Sequence, residues 1–71
     1  MTQPSITIIL NGAPCQFAGP IMVTDLLESL GLGAKPVVVE LNEMVVFPRD
    51  YALTPVTDGA RLEVVTLAAG G

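Results

Sequence analysis

The chain has 71 residues, of which 51% are hydrophobic and 14% charged, and seven acidic against three basic side chains give a formal net charge of −4. This length allows one small domain, and so apolar a composition excludes a disordered chain. The three basic residues are scattered, which argues against a nucleic-acid partner because binding phosphates requires clustered Lys and Arg. The sequence contains no histidine, so we expect neither the usual neutral-pH general base nor a zinc site.

One cysteine, Cys15, cannot form an internal disulfide, whereas small secreted domains usually contain several. We interpret Cys15 as a structural residue of a strand rather than as a sulfur-carrying thiol, because no basic residue lies beside it in the sequence. The first ten residues lack a positively charged segment, and their apolar run from Ile6 to Leu10 is too short to span a membrane. We therefore expect a cytoplasmic protein with no membrane partner.

The first predicted element is a hairpin. Residues 5–10 alternate in strand period, and the Asn11-Gly12 pair that follows is a strong signal for a two-residue turn. A second strand is expected at about residues 13–17, where Pro14 favours an edge position because proline cannot donate a ladder hydrogen bond.

A change of period then predicts one helix. Apolar residues spaced i, i+3, i+4 and i+7 place it from Val23 to Leu30. Asp25 in the first turn suits the helix dipole, and Gly31 is a suitable terminating residue. Met22 stands where Ser or Thr is the usual N-cap, which weakens the start of this helix.

The second half of the chain returns to strand period, with Val37, Val39 and Leu41 on one face. In chain order, the predicted elements are a strand at 37–41, a tight turn at 42–43, a short strand ended by Pro48, a helical turn or loop at 49–53, a turn at 58–59 and a final strand at 61–67.

This order of elements is β-β-α-β-β-β, and its single helix can cover only one face of a sheet. The first and last strands are the most apolar, so we place them centrally; if they pair in parallel, the helix lies in the crossover between them. The architecture is the α+β β-grasp of ubiquitin, a mixed sheet of four to five strands with one main helix on one face. The covered face is predicted to contain Ile6, Ile8, Leu10, Val37, Val39, Leu41, Leu62 and Val64, packed on Val23, Leu26, Leu27 and Leu30.

Four apolar residues fall on the opposite, uncovered face by alternation: Ile9, Val38, Val65 and Leu67. Single exposed apolar residues on a half-exposed sheet require no explanation. Four on neighbouring strands would instead form a docking patch, and we predict that they bind a partner protein.

The chain finishes with the small residues of the sequence AAGG. We expect residues 1–67 to form the domain and residues 68–71 to form a flexible tail, which would reach roughly 13 Å when extended. Glycines can enter a channel too narrow for side chains. The carboxylate at the end of such a tail is suited to activation, because adenylation would make its carbonyl carbon electrophilic and a sulfur nucleophile could then displace AMP. The tail consists of Ala68, Ala69, Gly70 and the modified residue, Gly71.

Two further features are weaker. Arg49, which follows Pro48, either binds an anion or a partner carboxylate, or pairs with Asp50 or Asp58 on the surface. The Gly31-Leu32-Gly33 segment precedes a strand rather than a helix, so we interpret it as a helix end and not as a phosphate loop.

Five segments of the chain are informative in combination: LNG, VTDLLESLGL, VVVELNEMVVFPRD, DGARLEVV and the terminal GG. Together they resemble ThiS-type sulfur carriers of thiamine biosynthesis, within the ThiS/MoaD ubiquitin-like family. One departure is Phe47, which stands between Val46 and Pro48 where the family often has Val-Val directly before Pro-Arg.

The resemblance implies a β-grasp protein that is not an enzyme but a protein co-substrate, with no bound cofactor. It implies that a ubiquitin-activating-like adenylyltransferase (ThiF-type) uses ATP to adenylate Gly71. A sulfur donor system would then convert Gly71 to a thiocarboxylate, and a thiazole synthase (ThiG-type) would consume the sulfur. The family's partner-facing sheet surface corresponds to the uncovered apolar face.

Three alternatives remain at this stage. The small subunit of molybdopterin synthase, or another MoaD-like carrier, has the same fold and activation chemistry, although LNEMVVFPRD resembles the thiamine branch more closely. A ubiquitin-like modifier would join Gly71 to a lysine of a target. A plain binding module would carry its glycines incidentally.

Overall fold

The computed structural model describes residues 5–67, and the account that follows concerns these residues. Its elements in chain order are β1 (Ser5–Leu10), β2 (Ala13–Ala18), β3 (Ile21–Met22), α1 (Val23–Ser29), β4 (Val37–Leu41), β5 (Met44–Val46), a 3₁₀ helix (Pro48–Leu53), β6 (Pro55–Val56) and β7 (Arg61–Thr66).

Five strands form one mixed sheet in the order β2-β1-β7-β4-β5. The first and last strands, β1 and β7, pair in parallel at the centre, and the other neighbours in this sheet are antiparallel. A separate two-stranded ribbon joins β3 to β6. Because α1 lies in the connection between the two central strands, the predicted β-grasp architecture is confirmed.

Both hairpin turns of the main sheet use a pair of residues with positive φ. Asn11 and Gly12 have φ values of 49° and 84°, and Asn42 and Glu43 have 50° and 70°. Two-residue turns of this type match the right-handed twist of the strands they join, and asparagine tolerates the first position well. The turns predicted at these two places are therefore confirmed.

The core lies between α1 and one face of the sheet. Leu30 was predicted to join it but is the C-cap of α1 and 37% exposed, because the helix ends at Ser29 and the chain turns away at Gly31 (φ 76°). Val56 and Ala60, from segments without periodic pattern, complete the core instead. The buried residues are Ile6, Ile8, Val23, Leu26, Leu27, Val39, Val56, Ala60, Leu62 and Val64, while the predicted Leu10, Val37 and Leu41 are half-buried around them.

The start of α1 is secured by backbone rather than by a side-chain cap. Met22 makes no capping hydrogen bond, as its side chain predicts, and the N–H of Val23 donates to the carbonyl of Thr54 at 3.0 Å. The β3–β6 ribbon brings these two segments together. Across residues 5–67, no helix is long and apolar enough to cross a membrane.

Candidate functional site

The sheet face that points away from α1, here called the open face, presents the residues predicted to bind a partner. Val38 and Val65 are direct cross-strand neighbours on β4 and β7, and both are exposed. Leu67 follows two residues later, and its N–H donates to the carbonyl of Pro36 at 3.0 Å, so the pairing with the β4 side continues past the end of β7. The structure therefore brings Val38, Val65 and Leu67 together.

Ile9 shares the open face but lies apart from these three residues. Its partners are Pro14 on β2 and Arg61 on β7, and Arg61 is four residues before Val65. At about 3.3 Å per residue, this separation is roughly 13 Å along the strand. Ile9 is also only half-exposed. The prediction that Ile9 belongs to this cluster is therefore wrong, because the parallel register of β1 and β7 places Ile9 beside Arg61 and not beside Val65.

Phe47 takes the fourth place. The β4–β5 pairing joins Val39 to Val46, and the next residue of the second strand continues in extended conformation (φ −83°, ψ 151°), which places Phe47 beside Val38. Its ring is exposed. We call Phe47, Val38, Val65 and Leu67 the apolar strip. The alternation of Val45 and Phe47 in the sequence could have revealed this neighbour.

Arg49 lies at the Phe47 end of the apolar strip. Its guanidinium carbon is 5.3 Å from the centre of the Phe47 ring, and its Nε is 4.0 Å from a carboxylate oxygen of Asp50. Of the two surface pairs considered for Arg49, the structure therefore contains the one with Asp50. An ion pair so exposed contributes little to stability, and the guanidinium stays accessible to an anion.

An acidic region adjoins the apolar strip on the open face. Glu40 of β4 stands directly opposite Glu63 of β7, and Glu43 and Arg61 line the same shallow depression. Like charges placed directly opposite on a sheet are mildly destabilising in the free protein. A basic surface on a partner would relieve this repulsion, which makes the open face complementary to a partner with an apolar patch flanked by Lys or Arg.

Asparagine side chains in the two hairpin turns hold β7 on both of its edges. The Asn11 amide donates to the carbonyl of Val64 at 3.2 Å and accepts from the N–H of Val64 at 2.8 Å. The Asn42 carbonyl oxygen accepts from the N–H of Arg61 at 2.9 Å. A primary amide has both a donor and an acceptor, so it can replace a peptide unit in a ladder. Nothing in the periodicity of the sequence revealed these contacts.

A second apolar surface lies on the helix side of the molecule. A shallow groove of about 530 Å³ runs between β5 and the 3₁₀ helix, and Leu41, Met44 and Leu53 contribute to its lining. Leu53 is 75% exposed. Leu53 belongs to the 3₁₀ helix, which contacts α1 on the covered side of the sheet, so it can serve as a control in tests of the open face.

The remaining predicted site residues are described only in part. The tail residues Ala68, Ala69, Gly70 and Gly71 lie outside the described residues. Cys15 occupies β2 opposite Ile8 and packs half-buried against the core, as its interpretation as a strand residue requires. Among residues 5–67, no group of three or more Cys, Asp or Glu is arranged to hold a metal ion.

Two solved structures from Geobacter metallireducens are similar to this chain. The crystal structure of the thiamine biosynthesis protein ThiS from Geobacter metallireducens is similar with a TM-score of 0.81 and 33% identity, covering 93% of this chain and 100% of that one. The solution NMR structure of a thiamine biosynthesis protein from the same organism gives a TM-score of 0.77 and 32% identity, over 93% and 88% of the two chains.

Sequence relatives extend this similarity. Uncharacterized protein ycf40 from Pyropia yezoensis is 34% identical over the full length of both chains. A thiazole synthase from Paramagnetospirillum magneticum is 36% identical over 64 residues, which are 90% of this chain but only 20% of that protein, so the chain spans about a fifth of this relative. The ThiS family model matches residues 8–71. With nearly its whole length matched, the chain belongs to the ThiS family.

Proposed function

We propose that this chain is a sulfur carrier of thiamine biosynthesis whose reactive group is the carboxylate of Gly71. The observation that carries the proposal is the family match, which continues through both terminal glycines. The structure adds that Leu67, from which the tail continues, belongs to the apolar strip on the open face. A partner docked on that strip would therefore be close to the point where the tail begins.

The proposed chemistry takes place in two steps on Gly71. A carboxylate oxygen attacks the α-phosphorus of ATP, which forms an acyl adenylate and releases pyrophosphate. Sulfur at the oxidation level of hydrosulfide, supplied by the donor system, then attacks the carbonyl carbon; AMP leaves with the electron pair of the broken C–O bond, and the S–H proton passes to water. The product is a thiocarboxylate. The adenylate is needed because a carboxylate has a poor leaving group at neutral pH.

The chain acts here as a protein co-substrate, and the partner enzymes supply the catalytic groups. The first partner is a ubiquitin-activating-like (ThiF-type) adenylyltransferase that binds the ATP, so this chain itself requires no bound cofactor. The apolar strip and the Glu40–Glu63 pair support docking on a surface that is apolar at its centre and basic at one side.

The second partner is proposed to be a thiazole synthase (ThiG-type), which would consume the sulfur. The similarity to part of a protein named thiazole synthase supports this choice over molybdopterin synthase. We propose that the sulfur enters the thiazole ring and that the activated tail, once released from the adenylyltransferase, reaches the synthase on the same carrier.

The test is intact-mass analysis of the chain after incubation with ATP, a cognate activating enzyme and a sulfur donor. We expect one oxygen of the Gly71 carboxylate to be replaced by sulfur, and the modified chain to be consumed by a thiazole synthase. Consumption only by the large subunit of molybdopterin synthase would assign the carrier to that pathway instead. Isopeptide conjugates to target lysines, without thiocarboxylate, would show a protein modifier and contradict the proposal.

A further inference from the structure

Strand β7 extends beyond the pairing that its parallel neighbour provides. The register joins Ile9 to Arg61 and Leu10 to Leu62, and the N–H of Asn11 then donates to the carbonyl of Leu62 at 2.9 Å. At this point the chain leaves β1 through its turn, whereas β7 continues to Thr66. Within the part of the chain that the structure describes, no strand follows β7 on this edge after Leu62.

The Asn11 side chain occupies the place that the next residue of β1 would have taken. Its amide makes both ladder bonds to one residue, accepting from the N–H of Val64 at 2.8 Å and donating to its carbonyl at 3.2 Å. These bonds are partly buried and connect residues 53 positions apart in the sequence. Paired bonds of this kind fix both the distance and the orientation of the backbone that they hold.

Val64 is the last residue of β7 that makes hydrogen bonds on the edge facing β1; the next residue, Val65, belongs to the apolar strip. Beyond Val64, β4 pairs with Val65 and Thr66 on the other edge only. Loss of the Asn11 bonds would leave residues 64–67 attached along a single edge, free to twist about β4. Sheet strands have an intrinsic tendency to twist, so the direction of Leu67 would change.

We propose that Asn11 is a positioning residue for the reaction at Gly71. This inference rests on the proposed function, since residues 68–71 continue from Leu67 and inherit its starting point. Asn11 contacts no reacting atom; it acts through Val64. A misplacement of about 1 Å at a reacting group can lower a catalysed rate by about 100-fold, so a change of direction at Leu67 is sufficient to slow adenylation.

Asn42 provides a matched control within the same chain. It also follows a leucine in a hairpin turn, has a φ of 50° against 49° for Asn11, and also accepts a backbone N–H bond from β7. Its partner is Arg61, at the opposite end of β7 from the apolar strip. Glycine adopts positive φ without strain, so Asn11→Gly and Asn42→Gly each remove an amide side chain while the turn is kept.

The experiment compares wild type, Asn11→Gly and Asn42→Gly as substrates of the activating enzyme, by intact mass, under conditions where circular dichroism shows each chain folded. We expect Asn11→Gly to lower kcat at least about fivefold with a smaller rise in KM, because Val38 and Phe47 of the apolar strip belong to the β4–β5 side of the sheet, which Asn11 does not contact. Asn42→Gly should keep both constants within about twofold of wild type.

Equal kcat values for the two variants would overturn the inference alone, since the amide would then matter only for folding. A wild-type chain that accepts no AMP would overturn the proposed function and this inference with it. If Asn11→Gly does not fold, Asn11→Asp is measured instead, because it keeps the acceptor for Val64 N–H but opposes the Val64 carbonyl. Its kcat should lie below that of wild type, and an unchanged kcat would contradict the inference.

Discussion

Val65→Asp tests whether the apolar strip binds a partner or merely stabilises the sheet. Val65 is 56% exposed and therefore contributes less than half of the 1.5–3 kcal/mol that complete burial of a valine provides, or about 1 kcal/mol. The lower strand propensity of Asp adds up to about 1 kcal/mol. We therefore expect the variant to lose about 1–2 kcal/mol of folding free energy. In a complex, by contrast, a carboxylate would be desolvated against an apolar surface.

Truncation of a hot-spot residue near the centre of an interface costs at least about 2 kcal/mol, and burying an unpaired charge there costs more. A loss of about 3 kcal/mol corresponds to more than a 100-fold increase in Kd for the activating enzyme. Isothermal titration calorimetry measures this Kd, and urea unfolding measures the folding term. Leu53→Asp, in the 3₁₀ helix that contacts α1, is the control and should leave Kd within about twofold. Equal losses of binding and folding for Val65→Asp would show that Val65 is a structural residue.

Two further predictions concern charge. Glu63→Gln removes the repulsion with Glu40 directly opposite, so urea unfolding should show a gain of about 0.2–1 kcal/mol, and a loss would mean that the pair is not repulsive. Burial raises the pKa of Tyr51, whose hydroxyl donates to the Val37 carbonyl at 3.5 Å. As the pH rises, the Tyr51 hydroxyl ionises in the unfolded chain before it ionises in the folded one. The contribution of Tyr51 to the free energy of unfolding is therefore complete below the unfolded pKa of about 10 and is lost as the pH rises through the higher folded pKa. Tyr51→Phe should lose less unfolding free energy than wild type as the pH rises above about 10, measured by urea unfolding, and identical pH profiles would contradict this assignment.

Local sequence patterns predicted most of the helices and strands, but not the register in which the strands pair. Alternation placed Ile9 and Val65 on the same face correctly, because the face depends only on parity. How far apart they lie depends on the register between β1 and β7, which is set by packing across 50 residues of intervening chain and leaves no periodic trace. The same limit explains why Ile9 was predicted to join the cluster, whereas Phe47 could have been found from its alternation with Val45.

Hydrophobic periodicity also could not predict the core residues that lie in short or aperiodic segments. Val56 is fully buried, but its strand has two residues, which is too short to show a period. Leu30 continued the helical stripe by spacing, yet the left-handed turn at Gly31 ends the helix before it. The amide contacts of Asn11 and Asn42 depend on where distant strands end. The positions of both residues in tight turns could be predicted, but the hydrogen bonds between their side chains and the backbone of β7 could not.

The most direct test of the central claim is the mass of the chain after reaction with ATP, activating enzyme and sulfur donor, compared between wild type and a chain from which Gly71 is deleted. The fold should be unchanged in both, since Gly71 follows the last strand, which ends at Thr66, in the sequence. We predict that wild type exchanges one oxygen for sulfur at its terminal carboxylate and that the shortened chain accepts neither AMP nor sulfur. Normal AMP transfer to the shortened chain would contradict the claim that the reactive group is the carboxylate of Gly71.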